Sequence, residues 1–115
     1  ASVGCDPAWM GLGPVPAIRA VLAKAGWALE SVDAFEINEA FGSQAVYCVK
    51  ELKVPKEKLN PRGGAIALGH PLGCTGARQV VTLFSELERQ NKKFGVISMC
   101  IGTGMGAAGV FEREA

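Results

Sequence analysis

The sequence has little of the residues from which metal sites and disulfide frameworks are built. Its 115 residues include one histidine and four cysteines, and no two cysteines are spaced as C-x-x-C. With that spacing absent and only one imidazole available, we predict no metal site. The even cysteine count allows disulfides, but a composition that is 49% hydrophobic can form a core without them. We therefore expect free thiols in a reducing compartment.

An excess of charge and a long apolar run are also lacking. The formal net charge is +1, which gives no basic surface for nucleic acid or for an anionic membrane. No apolar run reaches the roughly 18 residues that a membrane-spanning helix needs. Residues 1–5 do not resemble a signal peptide and read as the end of a strand whose beginning is missing. We expect a fragment of a longer protein, with neither nucleic acid nor a membrane span among its partners.

The apolar patterns that are present predict an α/β fold. We expect a mixed sheet of four to five strands with helices packed against it, the first strand being truncated. Residues 6–14 are predicted as a loop in which Trp9 and Met10 cover a core or line a pocket, and the first role is favoured. Gly26 is expected to end the first helix. The predicted strands are 2–5, 32–38, 94–101 and 107–112, and the predicted helices are 14–25, 39–52 and 77–90.

The glycine-rich stretch 63–78 contains the single histidine, His70. Glycines let the backbone approach a ligand closely, while Pro71 restricts the conformation of His70 and so fixes where the imidazole lies. A helix follows, with Thr75 as the expected N-cap, and its free N–H groups favour an anion nearby. The pattern indicates a histidine that acts on a ligand. A tight turn with a hydrogen-bonded histidine accounts for it equally well.

Two further residues lie at predicted strand ends, where ligands bind in α/β folds. Asn38 ends one strand, and Cys100 ends an apolar strand just before glycines. A thiol and an imidazole in one pocket can exchange protons near neutral pH, and the N–H of Gly102 could stabilise an oxyanion. Spacing alone leaves open that Asn38 caps a helix and that Cys100 is a small core residue.

Two nucleotide-binding patterns are excluded. Residues 104–109 match G-x-G-x-x-G after a strand, but too few residues follow for the helix and second strand that a dinucleotide fold needs. The stretch 63–78 lacks the Lys-Ser/Thr ending of a P-loop.

Three motifs resemble, in the same order, the C-terminal motifs of the thiolase family. They are Asn-Glu-Ala-Phe at 38–41, Gly-His-Pro at 69–71 and Cys-Ile-Gly-x-Gly at 100–104. Asn-Pro at 60–61 and Cys-Thr-Gly at 74–76 resemble the peroxisomal branch of 3-ketoacyl-CoA thiolases. The resemblance extends over residues 1–115, which would form a thiolase C-terminal domain. Gly42 and Arg62 depart from the usual pattern without affecting a proposed catalytic group.

The resemblance implies cleavage of 3-ketoacyl-CoA by CoA, which gives acetyl-CoA and a shortened acyl-CoA. His70 would activate a nucleophilic cysteine and hold the thioester oxygen together with a water placed by Asn38. Cys100 would be the second acid/base, and Gly102 would contribute its N–H to the other oxyanion hole. Glu39 would support these groups from behind. Coenzyme A would be a substrate, with no permanently bound cofactor.

The resemblance also implies parts that this sequence lacks. The nucleophilic cysteine and the loop domain that binds most of CoA would lie in an N-terminal half, so the isolated fragment is expected to be inactive. Cys74 near a helix start is a poor substitute, because the corresponding position in that branch is not catalytic. The helix at 77–87 is expected to present an apolar face to the missing half. Cys5 and Cys48 are interpreted as structural.

The assembly, the location and the exact activity stay open. A homodimer or homotetramer in the peroxisome is implied, and a mitochondrial or cytoplasmic location is the alternative. The last four residues do not resemble a peroxisomal C-terminal signal. A biosynthetic acetoacetyl-CoA thiolase would use the same residues. A non-catalytic module that binds acyl-CoA would need neither His70 nor Cys100.

Overall fold

A four-stranded mixed sheet forms the centre of the computed structural model, which describes residues 1–114. Its strand order is β1–β4–β3–β2, with β2 and β3 parallel and the other two pairs antiparallel. The predicted α/β class and mixed sheet are thus confirmed. The strands are β1 (Ser2–Gly4), β2 (Ala34–Ile37), β3 (Phe94–Ile101) and β4 (Met105–Glu112). The α-helices are α1 (Pro14–Ala25), α2 (Gly42–Leu52), α3 (Ala65–Leu68) and α4 (Thr75–Arg89).

Helices cover both faces of the sheet. Alternate strand residues such as Phe35 and Val96 pack with α1 and α2 in the larger core, while Ala34 on the other face packs against Leu83 and Leu87 of α4. This alternation follows from the two-residue period of a strand. Helix α4 packs on the face beneath β2 and β3. Near its start, Gln79 bonds to Glu36 O and Ser98 O, close to the carboxyl ends of both strands.

Two glycines make the contact between β4 and the segment that leads into α1 possible. A Cβ at Gly106 would overlap the carbonyl group of Gly13, and a Cβ at Gly104, whose φ is +88°, would overlap the carbonyl oxygen of Cys5. The close approach holds the β3–β4 hairpin, and therefore the end of β3, against the residues before α1.

Several boundaries agree with the sequence and others correct it. β3 covers the predicted residues, α1 has its predicted bounds, and Gly26 ends α1 in the left-handed conformation at φ 69° and ψ 26°. In contrast, α2 begins at Gly42 and not at 39, because Asn38 continues the strand ladder through its N–H to Ser98 O at 2.9 Å. Thr75 is the first residue of α4, and Cys74 is the N-cap.

Two segments predicted as loops contain helical turns. Residues Pro7–Leu12 form a 3₁₀-helix, which Asp6 caps by accepting a hydrogen bond from the N–H of Ala8. Trp9 is 65% exposed, so the prediction that it covers a core is wrong. The apolar residues of the glycine-rich stretch form α3, a single turn that the prediction did not include.

The apolar side of α4 is turned partly away from the sheet. Val81 is 70% exposed and Ala77 is exposed as well, while Phe84 is only half-buried. Gln79 and Glu86 face inward instead, both fully buried. The expected apolar outward face therefore exists, but Leu87, which we placed on it, belongs to the core.

Gly106→Ala should lower the free energy of unfolding by about 3 kcal/mol, because the added methyl group meets backbone that cannot move aside. Gly4→Ala in β1 is the matched control, since a Cβ there has nothing within 4 Å, and it should change stability by no more than about 0.5 kcal/mol. Urea unfolding of both variants measures the difference. Equal effects would show that the Gly13–Gly106 contact is not tight.

Candidate active site

Both ring nitrogens of His70 have hydrogen-bond partners on different elements. Nδ1 lies 2.6 Å from the hydroxyl of Thr75, and that hydroxyl donates its own hydrogen to Pro71 O at 3.0 Å. Nδ1 must therefore carry the hydrogen of the neutral ring, which leaves Nε2 as an acceptor. Asn38 Nδ2 lies 3.3 Å from Nε2 and can donate to it. The ring is thus oriented with a lone pair on Nε2, as a general base requires.

The side chain of Asn38 is buried at the end of β2. Its Oδ1 is among the buried atoms that have no hydrogen-bond partner within residues 1–114. An amide with one end on His70 and the other end unpaired is suited to hold a water molecule beside the imidazole.

His70 and Cys100 line one cleft of about 470 Å³. The sequence-predicted residues His70, Cys100 and Gly102 are therefore brought together, and Asn38 joins them through His70. Burial raises the pKa of the Cys100 thiol, so the thiol is protonated at neutral pH and can act as an acid. The remaining lining residues are apolar: Met10, Ala40, Phe41, Leu72, Met99 and Ile101.

Gly102 lies in the turn of the β3–β4 hairpin, exposed to the cleft. No hydrogen bond to its N–H is found in the described part of the chain. Thr103 and Gly104 follow with φ of 71° and 88°, which turns the chain back sharply after Gly102. The N–H of Gly102 is therefore available to a ligand that occupies the cleft.

Glu39 acts on the site through the backbone. Its Oε2 accepts a hydrogen bond from the N–H of Ile66 at 3.0 Å, and its Oε1 accepts one from Asn60 Nδ2 at 3.2 Å. A Cβ at Gly64 would overlap this carboxylate. Glu39 thereby holds α3, the turn that leads to His70.

Asn60 is bound to the outer edge of β2. Its side chain accepts from Ile37 N and donates to Ile37 O, both at 2.9 Å, and its backbone N–H donates to Phe35 O at 2.8 Å. Its φ is +41°, a left-handed conformation that asparagine tolerates better than most residues. These bonds hold the end of β2, and with it Asn38, in place.

Sequence reasoning missed several of these holding residues. Thr75 was expected to cap a helix, yet it orients His70; Asn60 was noted only for its resemblance to the peroxisomal branch. Their hydrogen bonds join positions that are far apart in the chain, so no local pattern indicates them. Cys74 is exposed and does not line the cleft.

A buried carboxylate lies behind the site. Glu36 on β2 is fully buried, and Arg78 Nη1 on α4 is 3.7 Å from its Oε2. Burial raises the pKa of Glu36 to about 7; Arg78 opposes the rise, and Glu39 and Glu86 add to it. The carboxyl group therefore holds its proton in the folded protein at a pH where the unfolded chain has lost it.

The chain matches a known family over nearly its whole length. Residues 1–113 match the family described as thiolase, C-terminal domain. The chain therefore belongs to the thiolase family as a C-terminal domain.

The chain is also similar to two mammalian thiolases over almost its whole length. It is 67% identical over 97% of its length to 3-ketoacyl-CoA thiolase B, peroxisomal, of Mus musculus, and 66% identical over 97% to 3-ketoacyl-CoA thiolase, peroxisomal, of Homo sapiens. The chain spans 27% of the length of each of these relatives.

Solved structures of thiolases share the fold. The peroxisomal 3-ketoacyl-CoA thiolase of Saccharomyces cerevisiae, a five-layered structure of two core domains of identical topology, matches 99% of this chain at 57% identity and a TM-score of 0.91, with 33% of its own chain covered. Human mitochondrial 3-ketoacyl-CoA thiolase in complex with CoA matches 99% at 47% identity and a TM-score of 0.97, with 29% covered.

No helix among the described residues is long and apolar enough to cross a bilayer. Within residues 1–114, no three His, Cys, Asp or Glu side chains are grouped as a metal site would require.

Thr75→Val should change the tautomer of His70, because valine keeps the shape of threonine but offers Nδ1–H no acceptor. The ¹⁵N spectrum of the imidazole measures this directly, since the chain has a single histidine. We expect the Nδ1–H form to lose its majority in Thr75→Val and to keep it in Thr75→Ser, which retains the hydroxyl. An unchanged spectrum in the valine variant would contradict the assigned hydrogen bond.

The raised pKa of Glu36 predicts that its contribution to stability falls as the pH rises. Its proton is held in the folded state up to about pH 7, whereas the unfolded carboxyl loses it near pH 4.5, so stability from this group is lost between these values. The loss is at most about 3 kcal/mol. Glu36→Gln should remove this slope in urea unfolding between pH 5 and 8, and an identical slope in both proteins would be inconsistent with the shift.

Proposed function

We propose that this chain is the C-terminal catalytic part of a 3-ketoacyl-CoA thiolase. The reaction is the cleavage of 3-ketoacyl-CoA by CoA to acetyl-CoA and a shortened acyl-CoA, as in fatty acid β-oxidation. The observation that carries the proposal is a histidine whose Nε2 is the unprotonated, hydrogen-bond-accepting ring nitrogen, in the same cleft as a protonated cysteine. The high identity to peroxisomal thiolases supports the choice of substrate class.

His70 is the base of the first step. Its Nε2 takes the proton from a cysteine thiol supplied by an N-terminal half, and the thiolate attacks the 3-keto carbonyl carbon of the substrate. The bond between C2 and C3 then breaks, which leaves an acyl thioester on that cysteine and the enolate of acetyl-CoA. The hydrogen bond from Nδ1 to Thr75 stabilises the imidazolium that forms.

Cys100 is the acid of the first step and the base of the second. Its thiol protonates C2 of the enolate, which gives acetyl-CoA. Its thiolate then takes the proton from an incoming CoA thiol, whose sulfur attacks the acyl thioester. The departing cysteine recovers its proton from His70. A pKa raised by burial makes the thiol a poor proton donor to water, but a strongly basic enolate can still take its proton.

Two sets of donors stabilise negative charge on oxygen. A water held by the unpaired Oδ1 of Asn38 and the Nε2 of His70 face one substrate oxygen. The free N–H of Gly102 and the N–H of the nucleophilic cysteine face the other. Glu39 keeps α3 in place beneath them and touches no substrate atom.

The outward face of α4 is the docking surface for the N-terminal half. Val81, Ala77 and Phe84 leave apolar area uncovered, and the sheet face beside α4 is open at Met99 and Gly109. A second sheet with its own helices would bury this area, which is the kind of arrangement that the five layers of the yeast relative describe. The whole protein is proposed to be a homodimer or homotetramer in the peroxisome, with CoA as a substrate.

His70→Ala and Cys100→Ala in the complete enzyme should each lower kcat for thiolysis by about 10²–10⁴-fold, because each removes an acid/base group. Cys5→Ala is the control with near wild-type activity, since Cys5 does not line the cleft.

Rates with acetoacetyl-CoA and with a long-chain 3-ketoacyl-CoA separate the degradative enzyme from a biosynthetic acetoacetyl-CoA thiolase. The biosynthetic alternative is retained because the chain is also similar to the Bacillus anthracis acetyl-CoA acetyltransferase, at 48% identity and a TM-score of 0.95.

Thiolysis that stays near wild type in either catalytic variant would overturn the roles assigned here. Binding of acyl-CoA with no turnover in the unmodified enzyme would instead indicate a non-catalytic module. The intact mass of the native protein is the first check, because a mass near 12.0 kDa would mean that this chain carries no N-terminal half.

A further inference from the structure

Gln79 is a fully buried amide that the chemistry above does not use. It lies on α4 one turn after Thr75, so both side chains lie on the same side of the helix. Its Nε2 donates to two backbone carbonyls, Glu36 O at 2.9 Å on β2 and Ser98 O at 3.1 Å on β3. One side chain therefore ties α4 to both strands that end at the cleft.

These bonds complete a closed ring of contacts around His70. Ser98 O also accepts the backbone N–H of Asn38 at 2.9 Å, so Gln79 and Asn38 share one acceptor. From Asn38 the ring passes through Nδ2 to Nε2 of His70, and from Nδ1 to Thr75. Thr75 and Gln79 are one turn apart on α4, which closes the ring. The imidazole is held between a strand end and a helix, and Gln79 fixes the distance between the two.

The net stability that the amide adds at this position is small. Gln79 Oε1 is one of the buried atoms without a partner in residues 1–114, and leaving such a group unpaired costs about 1–3 kcal/mol. The two carbonyls it contacts belong to strands that are already paired with each other. The two hydrogen bonds offset a cost of similar size, so the main effect of the amide is to fix where α4 lies relative to β2 and β3.

We infer that Gln79 is a positioning residue for the thiolase reaction: it sets the spacing between Asn38 and Thr75 and so keeps Nε2 of His70 aimed at the nucleophile. The expected effect of Gln79 on catalysis rests on the proposed function. The placement of His70 itself is a property of this chain, and it can be measured whether or not the reaction is thiolysis.

The test uses Gln79→Met, which keeps the length of the side chain and loses both hydrogen bonds. The ¹⁵N resonances of His70 in the 115-residue chain report the ratio of the Nδ1–H to the Nε2–H form. We expect this ratio to fall about five-fold or more in Gln79→Met. Gln44→Met is the matched control, because Gln44 is also a buried glutamine on a helix but its amide contacts Cys48 and the N–H of Phe41. It should leave the ratio unchanged.

Activity of the complete enzyme gives the second readout. Gln79→Met should lower kcat by about 10–100-fold, since a misplacement of about 1 Å has effects of this size, while KM for CoA changes less than about two-fold. Gln79→Asn keeps the amide but is one methylene too short to reach both carbonyls, and it should show the same loss more weakly. If Gln79→Met does not fold, the tautomer ratio and kcat are measured on Gln79→Asn.

The inference is overturned if His70 keeps its tautomer ratio and kcat stays within two-fold in both Gln79 variants. It is also overturned if Gln44→Met disturbs His70 as much as Gln79→Met does, because the effect would then come from general loosening of the fold. A complete enzyme with no thiolysis would remove the proposed function, while the tautomer ratio would still decide whether Gln79 positions the ring.

Discussion

The hydrogen bond from Nδ1 of His70 to Thr75 is the interaction on which the geometry of the site depends. It joins residues five positions apart across the start of α4, so the ring is attached to a helix as well as to a glycine-rich turn. Because the hydrogen of the Thr75 hydroxyl goes to Pro71 O, the hydroxyl accepts from Nδ1 and does not donate to it. A hydroxyl with one hydrogen and a fixed acceptor thus determines which nitrogen of the imidazole stays basic.

The fold positions the other residues of the site, because it brings the ends of two strands to the start of a helix. β2 and β3 are parallel, so Asn38 and Cys100 emerge at the same edge of the sheet, and α4 begins beneath that edge. The hairpin after β3 then brings Gly102 to the lining of the cleft. Residues from three separate parts of the chain, around positions 38, 70 and 100, therefore meet at this edge.

The sequence predicted the elements and the residues that line the cleft better than the residues that hold them in place. β3 was recognisable because an apolar run of eight residues before glycines has few alternatives. His70 and Cys100 were recognisable by their chemical types and by three motifs in a known order. Gln79 was not, because on the sequence it is one polar residue in an amphipathic helix. The direction in which a helix faces a sheet is decided by packing, and packing placed Gln79 inside and Val81 outside.

Asn60 has a further consequence for the behaviour of the sheet. β2 is a terminal strand of the sheet, and a bare terminal strand offers a row of unpaired N–H and C=O groups to any other chain. Asn60 occupies three of those groups with its own amide and backbone, as a single residue of an added strand would. The edge nearest the site is thereby closed to strand exchange and to fibril-like stacking, by a residue whose left-handed backbone cannot itself extend the ladder.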